Sequence, residues 1–407
     1  MDVFNELGLA VHGRWRRADF DDRAFPEIAC EALHSWNLHG RIRYDDVIDW
    51  VTEATVLPPQ TDLEAAFGEP PVVVYSDSRF HIEVLFWATA TTAVHQHSFS
   101  GAFTVLSGSS VQSHYQFLLR ERVNDHMLFG DLRLQRCGLL SRGDIEPIYP
   151  GDGLIHSVFH LQMPSVSVVV RTHRDPGTSV QHKYFRPHLA LDPFFSNPET
   201  TRRLQILDLV GRLHSPRYEE LACRMLERAD CLETFELLNR CRLRRDQAAA
   251  VFARLLTAAR ARHGTRIDLM LPVFDEMDRE AVLMTRRETV VDRDHRFLLA
   301  LLINLPNRES ILSMVRQRYP GDPEHLIMKW VSELSGKDVL GIDLDPLNES
   351  ILRCLIAGLP FEGVCDRLRQ DYSAEQIASQ RDDLRDHCDR IKRLAAFRTL
   401  LNVDPAA

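Results

Sequence analysis

Apolar and polar residues follow three rhythms along this 407-residue chain. In the first 57 residues Phe25, Ile28, Ala29, Ala32, Leu33 and Trp36 recur at helical spacing, and the pattern stops at Pro58-Pro59. This predicts a helical lead-in. From Pro70-Pro71 the texture changes to VVVYSDS, FHIEVLFWA, GAFTVLSG, HYQFLL, LIHSVF and SVSVVVRTH. These short runs are rich in Val, Phe, Ile and Tyr, and Gly, Ser, Asp and Pro separate them, as expected for many short strands in a sandwich or barrel. The strand signal fades after His173, and DPFFSNP at 192–198 reads as a linker.

From Glu199 onward the period is helical, as in TRRLQILDLVGRLH and AAAVFARLLTAARAR. Two segments, 297–319 and 350–372, share an apolar helix, a Leu-Pro break, a second helix and an Arg-Gln-x-Tyr end. Two copies are fewer than a free-standing solenoid needs, so they predict a duplicated helix-turn-helix unit inside a compact domain. Such a unit suits a partner protein or a second subunit, and equally simple duplication for packing. The expected fold class is an α+β multidomain chain. Its parts are a helical lead-in (1–70), a β-barrel (71–190), a helical domain (199–290) and a helical domain carrying the repeat (291–407).

Charge narrows the function classes. Lys and Arg total 49 against 58 Asp and Glu, a net of −9, which argues against nucleic acid or an anionic membrane as the main partner. No stretch approaches the roughly 18 uncharged apolar residues of a membrane span, and the start MDVFNELGLAVHGRW lacks the apolar core of a signal peptide. The eight cysteines form no CxxC pair, so neither a zinc ribbon nor a disulfide framework is indicated. A cytoplasmic location is expected.

The candidate chemistry lies in the β-rich segment. Residues i and i+2 of a strand share a face, so His95-Gln96-His97 can aim two imidazoles at one point while Gln96 faces away. A Pro150-Gly151 turn then feeds a strand that carries His156, a third imidazole donor. Together these resemble the two motifs of the cupin family, an HxH with a later glycine (Gly108) and a Pro-Gly turn leading to a histidine. His160 stands where that family places an asparagine. The family's acidic ligand has no counterpart, because 98–107 (SFSGAFTVLS) contains neither Asp nor Glu.

The resemblance therefore implies a three-histidine metal site of His95, His97 and His156, with open coordination positions for anions and dioxygen. Imidazole also suits copper, nickel and a tetrahedral zinc. Residues 1–190 most resemble the cysteine dioxygenase family of thiol dioxygenases, through FHIEVLFWATATTAVHQHSFSGAFTVLSG (80–108) and HSVFHLQMPSVSVV (156–169). That likeness implies Fe(II), O₂ and a small carboxylate substrate, a thiol or amino acid, either free or bound to a carrier or peptide.

The departures are specific. Where that family carries a Ser-x-His-x-Tyr relay, this chain has Ser167, Val169 and Arg171. Strand alternation places Arg171 and His173 on the face of Ser167, which makes these three the candidate catalytic residues. A guanidinium at 171 can clamp a carboxylate bidentately, or it can be a surface arginine at a strand end. Arg79 is a second candidate for the clamp. His160 shares the face of His156 and is either a hydrogen-bond partner beside the metal or an ordinary core histidine. His81, His114 and Tyr115 receive no role. The competing function class is a ligand sensor or scaffold whose helical half engages a partner protein.

Overall fold

The computed structural model describes residues 2–61, 63, 67–88, 92–175, 180–336 and 339–402, with the backbone alone described at 245–248. Four helices open the chain: α1 (Asp2–Arg17), α2 (Phe25–Trp36), α3 (Leu38–Arg41) and α4 (Tyr44–Glu53). Eleven strands follow among the described residues. They are β1 (Pro71–Ser76), β2 (Phe80–Trp87), β3 (His95–His97), β4 (Gly101–Ser107), β5 (Ser109–Asn124) and β6 (Met127–Ser141), then β7 (Ile145–Ile148), β8 (Gly151–His160), β9 (Ser165–Thr172), β10 (Lys183–Phe185) and β11 (Leu189–Leu191). The strands form an open sheet ordered β1-β2-β9-β4-β7 and a closed ring ordered β10-β11-β6-β5-β8-β3.

The central strands of the open sheet are buried on both faces, and this explains the unbroken apolar runs. In β2 all eight residues are buried. Ile82, Val84 and Phe86 pack outward with Val166, Val168 and Val170 of β9 against Phe4, Leu7, Val11, Trp15, Phe25 and Ala29 of the lead-in helices. Leu85 and Trp87 alternate onto the opposite face, where they meet Phe99, Phe103, Val105, Leu140, Ile148, Leu154 and Val169. This second cluster draws on both sheets, so the space between them is the candidate interior.

Four strands, β6, β7, β10 and β11, escaped the sequence reading. β10 and β11 lie beyond His173, where the strand signal had faded, and three residues each is too short for alternation to register. They nevertheless close the ring, because β10 pairs Lys183 with His95 of β3 and β11 pairs Leu189 with Phe129 of β6.

Twelve helices follow among the described residues. The first six are α5 (Pro198–Arg212), α6 (Tyr218–Leu226), α7 (Cys231–Arg242), α8 (Arg245–His263), α9 (Arg266–Arg287) and α10 (Arg293–Asn304). The rest are α11 (Arg308–Arg318), α12 (Pro323–Ser335), α13 (Pro346–Ile356), α14 (Phe361–Leu368), α15 (Ala374–Ser379) and α16 (Arg381–Arg393). Acidic or amide side chains cap many of their starts, among them Asn197, Asp230, Asp292, Asn307, Asp322 and Asp345. Breaks at Leu305-Pro306 and Leu359-Pro360 divide α10 from α11 and α13 from α14. No described helix is long and apolar enough to cross a membrane.

These helices pack directly on the ring. Val111 of β5, together with Phe159 and Leu161 at the end of β8, joins the core built by Phe297, Leu298, Leu301 and Ile311. Ser157 Oγ donates to Asn304 Oδ1 at 3.2 Å, and Arg287 donates to the His160 carbonyl at 3.1 Å.

Candidate metal centre

β3 and β8 are neighbours in the ring, and His95 pairs directly with His156. The register slips between His95 and His97, and His97 comes to lie opposite Gly151, whose φ of +64° suits the Pro-Gly turn that starts β8. Both histidines of β3 then face the imidazole of His156. The nitrogens of His95, His97 and His156 lie within 4.8 Å of one another, and all three residues are buried. Gln96 points the other way, where it accepts from the Tyr184 hydroxyl and donates to the Val180 carbonyl at 2.8 Å.

Hydrogen bonding fixes how these rings can act. His95 Nδ1 lies 2.8 Å from the Ala93 carbonyl, which can only accept, so Nδ1 carries the proton and Nε2 holds a lone pair. That Nε2 is buried with no hydrogen-bond partner among the described residues. His97 Nε2 and His156 Nε2 stand 3.0 Å apart, a separation that requires a proton or a cation between two such nitrogens. Gln112 reaches His156 Nδ1 at 3.1 Å through its amide nitrogen, and a half-turn of the amide would offer the oxygen instead. Burial holds His95 down at about 4, against the Ala93 bond that opposes it. Burial also holds His97 and His156 well below the usual histidine range. Three neutral imidazoles facing one point are a suitable donor set for a divalent cation. Bonds of about 2.0–2.1 Å to a shared ion would put two adjacent nitrogens about 3 Å apart.

A cavity of ≈ 50 Å³ adjoins His97 and His156, walled mainly by apolar side chains such as Leu85, Phe103 and Val169. Space of that size exceeds what a single water needs. His160 also lines it. Its ring stacks on Trp87 (4.7 Å, 18°), its Nδ1 meets Ser110 Oγ at 2.9 Å, and its Nε2 has no partner among the described residues. Burial, followed by the charges of Arg287 and Arg296, brings it down to about 3.

The other sequence candidates divide. Ser167 lines the cavity and accepts a 3.3 Å hydrogen bond from the Trp87 indole. Arg171 lies on the same face but does not itself line the cavity; its guanidinium sits behind the wall, 3.7 Å from the centre of the Phe99 ring and 3.4 Å from Glu83. Its Nε has no partner among the described residues. His173 does not line the cavity. β9 ends at Thr172, and the His173 ring is drawn outward to the Asp77 carbonyl at 2.9 Å. Arg79 does not line the cavity either, and its guanidinium stacks on Phe20 of the lead-in at 3.9 Å. His114 pairs with His156 across β5 and β8 but is held by Arg136 at 3.2 Å, and Tyr115 accepts from Arg186 at 3.1 Å.

One cavity residue went unnoticed in the sequence: Glu83, which is 6% exposed. It reads as the polar member of an apolar strand. The available signal was the two-residue series His81, Glu83, Leu85, Trp87, which shares the face of a tryptophan inside a strand buried on both sides. Burial pushes the Glu83 carboxyl up, and its contacts with His81 and Arg171 outweigh that and hold it below the usual carboxylate range.

No protein-family model matches this chain, and no curated protein does. Among solved structures, a cupin-2 domain protein from Shewanella frigidimarina NCIMB 400 aligns with 33% of this chain and 95% of its own, at 13% identity and a TM-score of 0.20. Hydroquinone 1,2-dioxygenase from Sphingomonas sp. TTNP3, solved with 4-hydroxybenzoate bound, aligns with 27% of this chain and 69% of its own, at 13% identity and a TM-score of 0.21. The capsular polysaccharide assembling protein CapF from Staphylococcus aureus aligns with 28% and 32%, at 17% identity and a TM-score of 0.18. Likeness this low leaves the chemistry to be argued from the residues themselves.

Proposed function

We propose that this chain is a mononuclear non-haem iron oxygenase of the cupin class. His95, His97 and His156 hold Fe(II), and the substrate is a small or carrier-bound carboxylate such as a thiol or amino acid. The observation behind this reading is the convergence of three buried neutral imidazoles, with the Nε2 lone pair of His95 fixed by the Ala93 carbonyl and left unpartnered among the described residues. Iron bound there supplies open coordination positions and redox chemistry for dioxygen and an anionic ligand.

The remaining work belongs to the chain. Gln112, with its amide oxygen turned toward His156 Nδ1, orients that ring as outer hydrogen-bond partners do for metal-bound histidines. Arg171 offers a carboxylate the guanidinium donors that Glu83 does not use, and Phe99 holds the guanidinium plane by stacking. Leu85, Trp87, Phe103 and Val169 exclude water, which strengthens that charge recognition. Ser167 and His160 add to the cavity lining a hydroxyl and a ring nitrogen that has no partner among the described residues.

Elemental analysis of protein grown with iron tests the site, and the expected result is about one iron per chain in the wild type with loss of most of it in His95→Ala. Metal-free wild type, or unchanged iron in His95→Ala, would defeat the proposal. Oxygen uptake by the iron-loaded protein against a panel of thiols, amino acids and diketones then selects the substrate class, with Arg171→Met expected to raise KM for carboxylates more than it lowers kcat.

A further inference from the structure

The cavity wall carries one fixed charge. Among the described residues that line it, Glu83 alone is formally charged, because burial holds His97, His156 and His160 below the usual histidine range. Strand alternation puts Glu83 there. It shares the inner face of β2 with Leu85 and Trp87, while Ile82, Val84 and Phe86 face the lead-in helices.

A carboxylate out of water needs donors, and it can accept about four hydrogen bonds. Glu83 accepts one, and it is long. Arg171 reaches Oε1 at 3.4 Å, against about 2.7–2.9 Å for a good charge-assisted bond. That guanidinium stands behind the wall and spends its face on Phe99 at 3.7 Å. His81 Nε2 lies 3.5 Å from Oε2 and makes no hydrogen bond. Oε2 therefore accepts no hydrogen bond from a described residue. Burial raises the carboxyl, its neighbours more than offset that, and it stands below the usual carboxylate range, ionised at neutral pH.

Other polar groups of the wall are engaged with one another. The Trp87 indole donates to Ser167, Ser110 meets His160, and Thr92 bonds to the backbone of Val158. The underused acceptor is also close to the metal histidines. Phe99 touches His97, with ring centres 4.7 Å apart, so a single aromatic ring separates the Glu83–Arg171 pair from the site. A short ligand spans that distance.

We infer that Glu83 is a specificity-determining residue that receives a primary ammonium group of the ligand, so that the cavity takes a small amine whose other end meets the metal. An ammonium is compact and carries three donors, which matches a carboxylate with open acceptor positions. It also brings the positive charge that the apolar wall lacks, in surroundings where charge attraction is stronger than in water. A hydroxyl would bring one donor and no charge. The inference rests on the proposed function for the metal end of the ligand and adds to it a second recognised group, held by the protein and not by the metal.

Binding of 2-aminoethanethiol and of 2-mercaptoethanol to the full-length protein tests it, because the two thiols differ only in an ammonium against a hydroxyl. Cobalt(II)-loaded protein reports thiolate binding through its absorption spectrum and requires no turnover. At pH 7 the amine is protonated, and the wild type is expected to bind 2-aminoethanethiol about tenfold or more tightly than its hydroxyl analogue. Glu83→Gln should remove most of that preference by weakening the amine, with 2-mercaptoethanol little changed. General damage to the wall would weaken both thiols together, so the ratio isolates the charge. Equal binding by the wild type, no binding of the amine, or an unchanged preference in Glu83→Gln would overturn the ammonium site. Should Glu83→Gln fail to fold, Glu83→Met removes the charge at similar size and is read in the same way, and the wild-type ratio still decides by itself. Protein that takes up no metal would instead defeat the proposed function, whereas loaded protein without a preference defeats the ammonium site alone.

Discussion

An imidazole buried away from counter-charges resists protonation, because its charged form would give up hydration for nothing in return. His160 illustrates this, with burial holding it at about 3. In the unfolded chain its value is near 6.5, so between about 6.5 and about 3 the unfolded state binds the extra proton. Stability then falls as pH drops through that window and is flat above it. Each such site weakens folding by up to about 1.4 kcal/mol per pH unit. His160→Gln is therefore expected to lower stability at neutral pH through the lost stack on Trp87 and to make the decline below about pH 6.5 shallower. Urea unfolding at several pH values measures both, and a variant whose decline matches the wild type would show that His160 is solvated. At this scale the sequence was legible where chemistry follows covalent spacing. His95 and His97 converge because i and i+2 share a strand face, whereas Glu83 went unnoticed and His173 was placed on the cavity face, because which face is covered and where β9 stops do not show in the spacing.

Strand pairing sets the geometry that those side chains use. β4 runs between β9 and β7, and at its start the backbone of Gly101 approaches β9 so closely that an added Cβ would lie 2.2 Å from the Val170 carbonyl oxygen. Backbone in the middle of a sheet cannot step aside. Gly101→Ala is thus expected to cost about 1–3 kcal/mol or more and to lower the melting temperature by several degrees. Differential scanning calorimetry would report it, and an unchanged transition would mean that β4 and β9 stand further apart than described. The effect should reach the site, since β9 carries Ser167 and Arg171. The long runs of β2 and β9 were readable because both faces are apolar. The three-residue strands β3, β10 and β11 were not readable from rhythm, and β3 drew attention only through its histidines.

At the scale of the molecule, the helical half backs the strand that carries His156. β8 carries His156 on its inner face, while on its outer face Phe159 and the adjoining Leu161 enter the helical core and Ser157 bonds to Asn304. The guanidinium of Arg287 lies 4.5 Å from the Phe159 ring centre and binds the carbonyl of His160. Sequence rhythm separated the two halves correctly as strand-rich and helical, yet it gave no sign of this seam, because a residue buried against another domain looks the same as one buried within its own. A fragment of residues 1–190 would expose Val111, Phe159 and Leu161, all nearly inaccessible in the full chain. Uncovering each such side chain costs about 1.5–3 kcal/mol, a large fraction of a typical domain's stability. It would also release the strand that positions one of the three imidazoles. The fragment is expected to be poorly soluble or, if soluble, to melt at lower temperature and retain less iron than the full chain. Equal iron content and an equal melting temperature in the two proteins would show that the helices are dispensable to the site and would return them to the role of a partner-binding appendage.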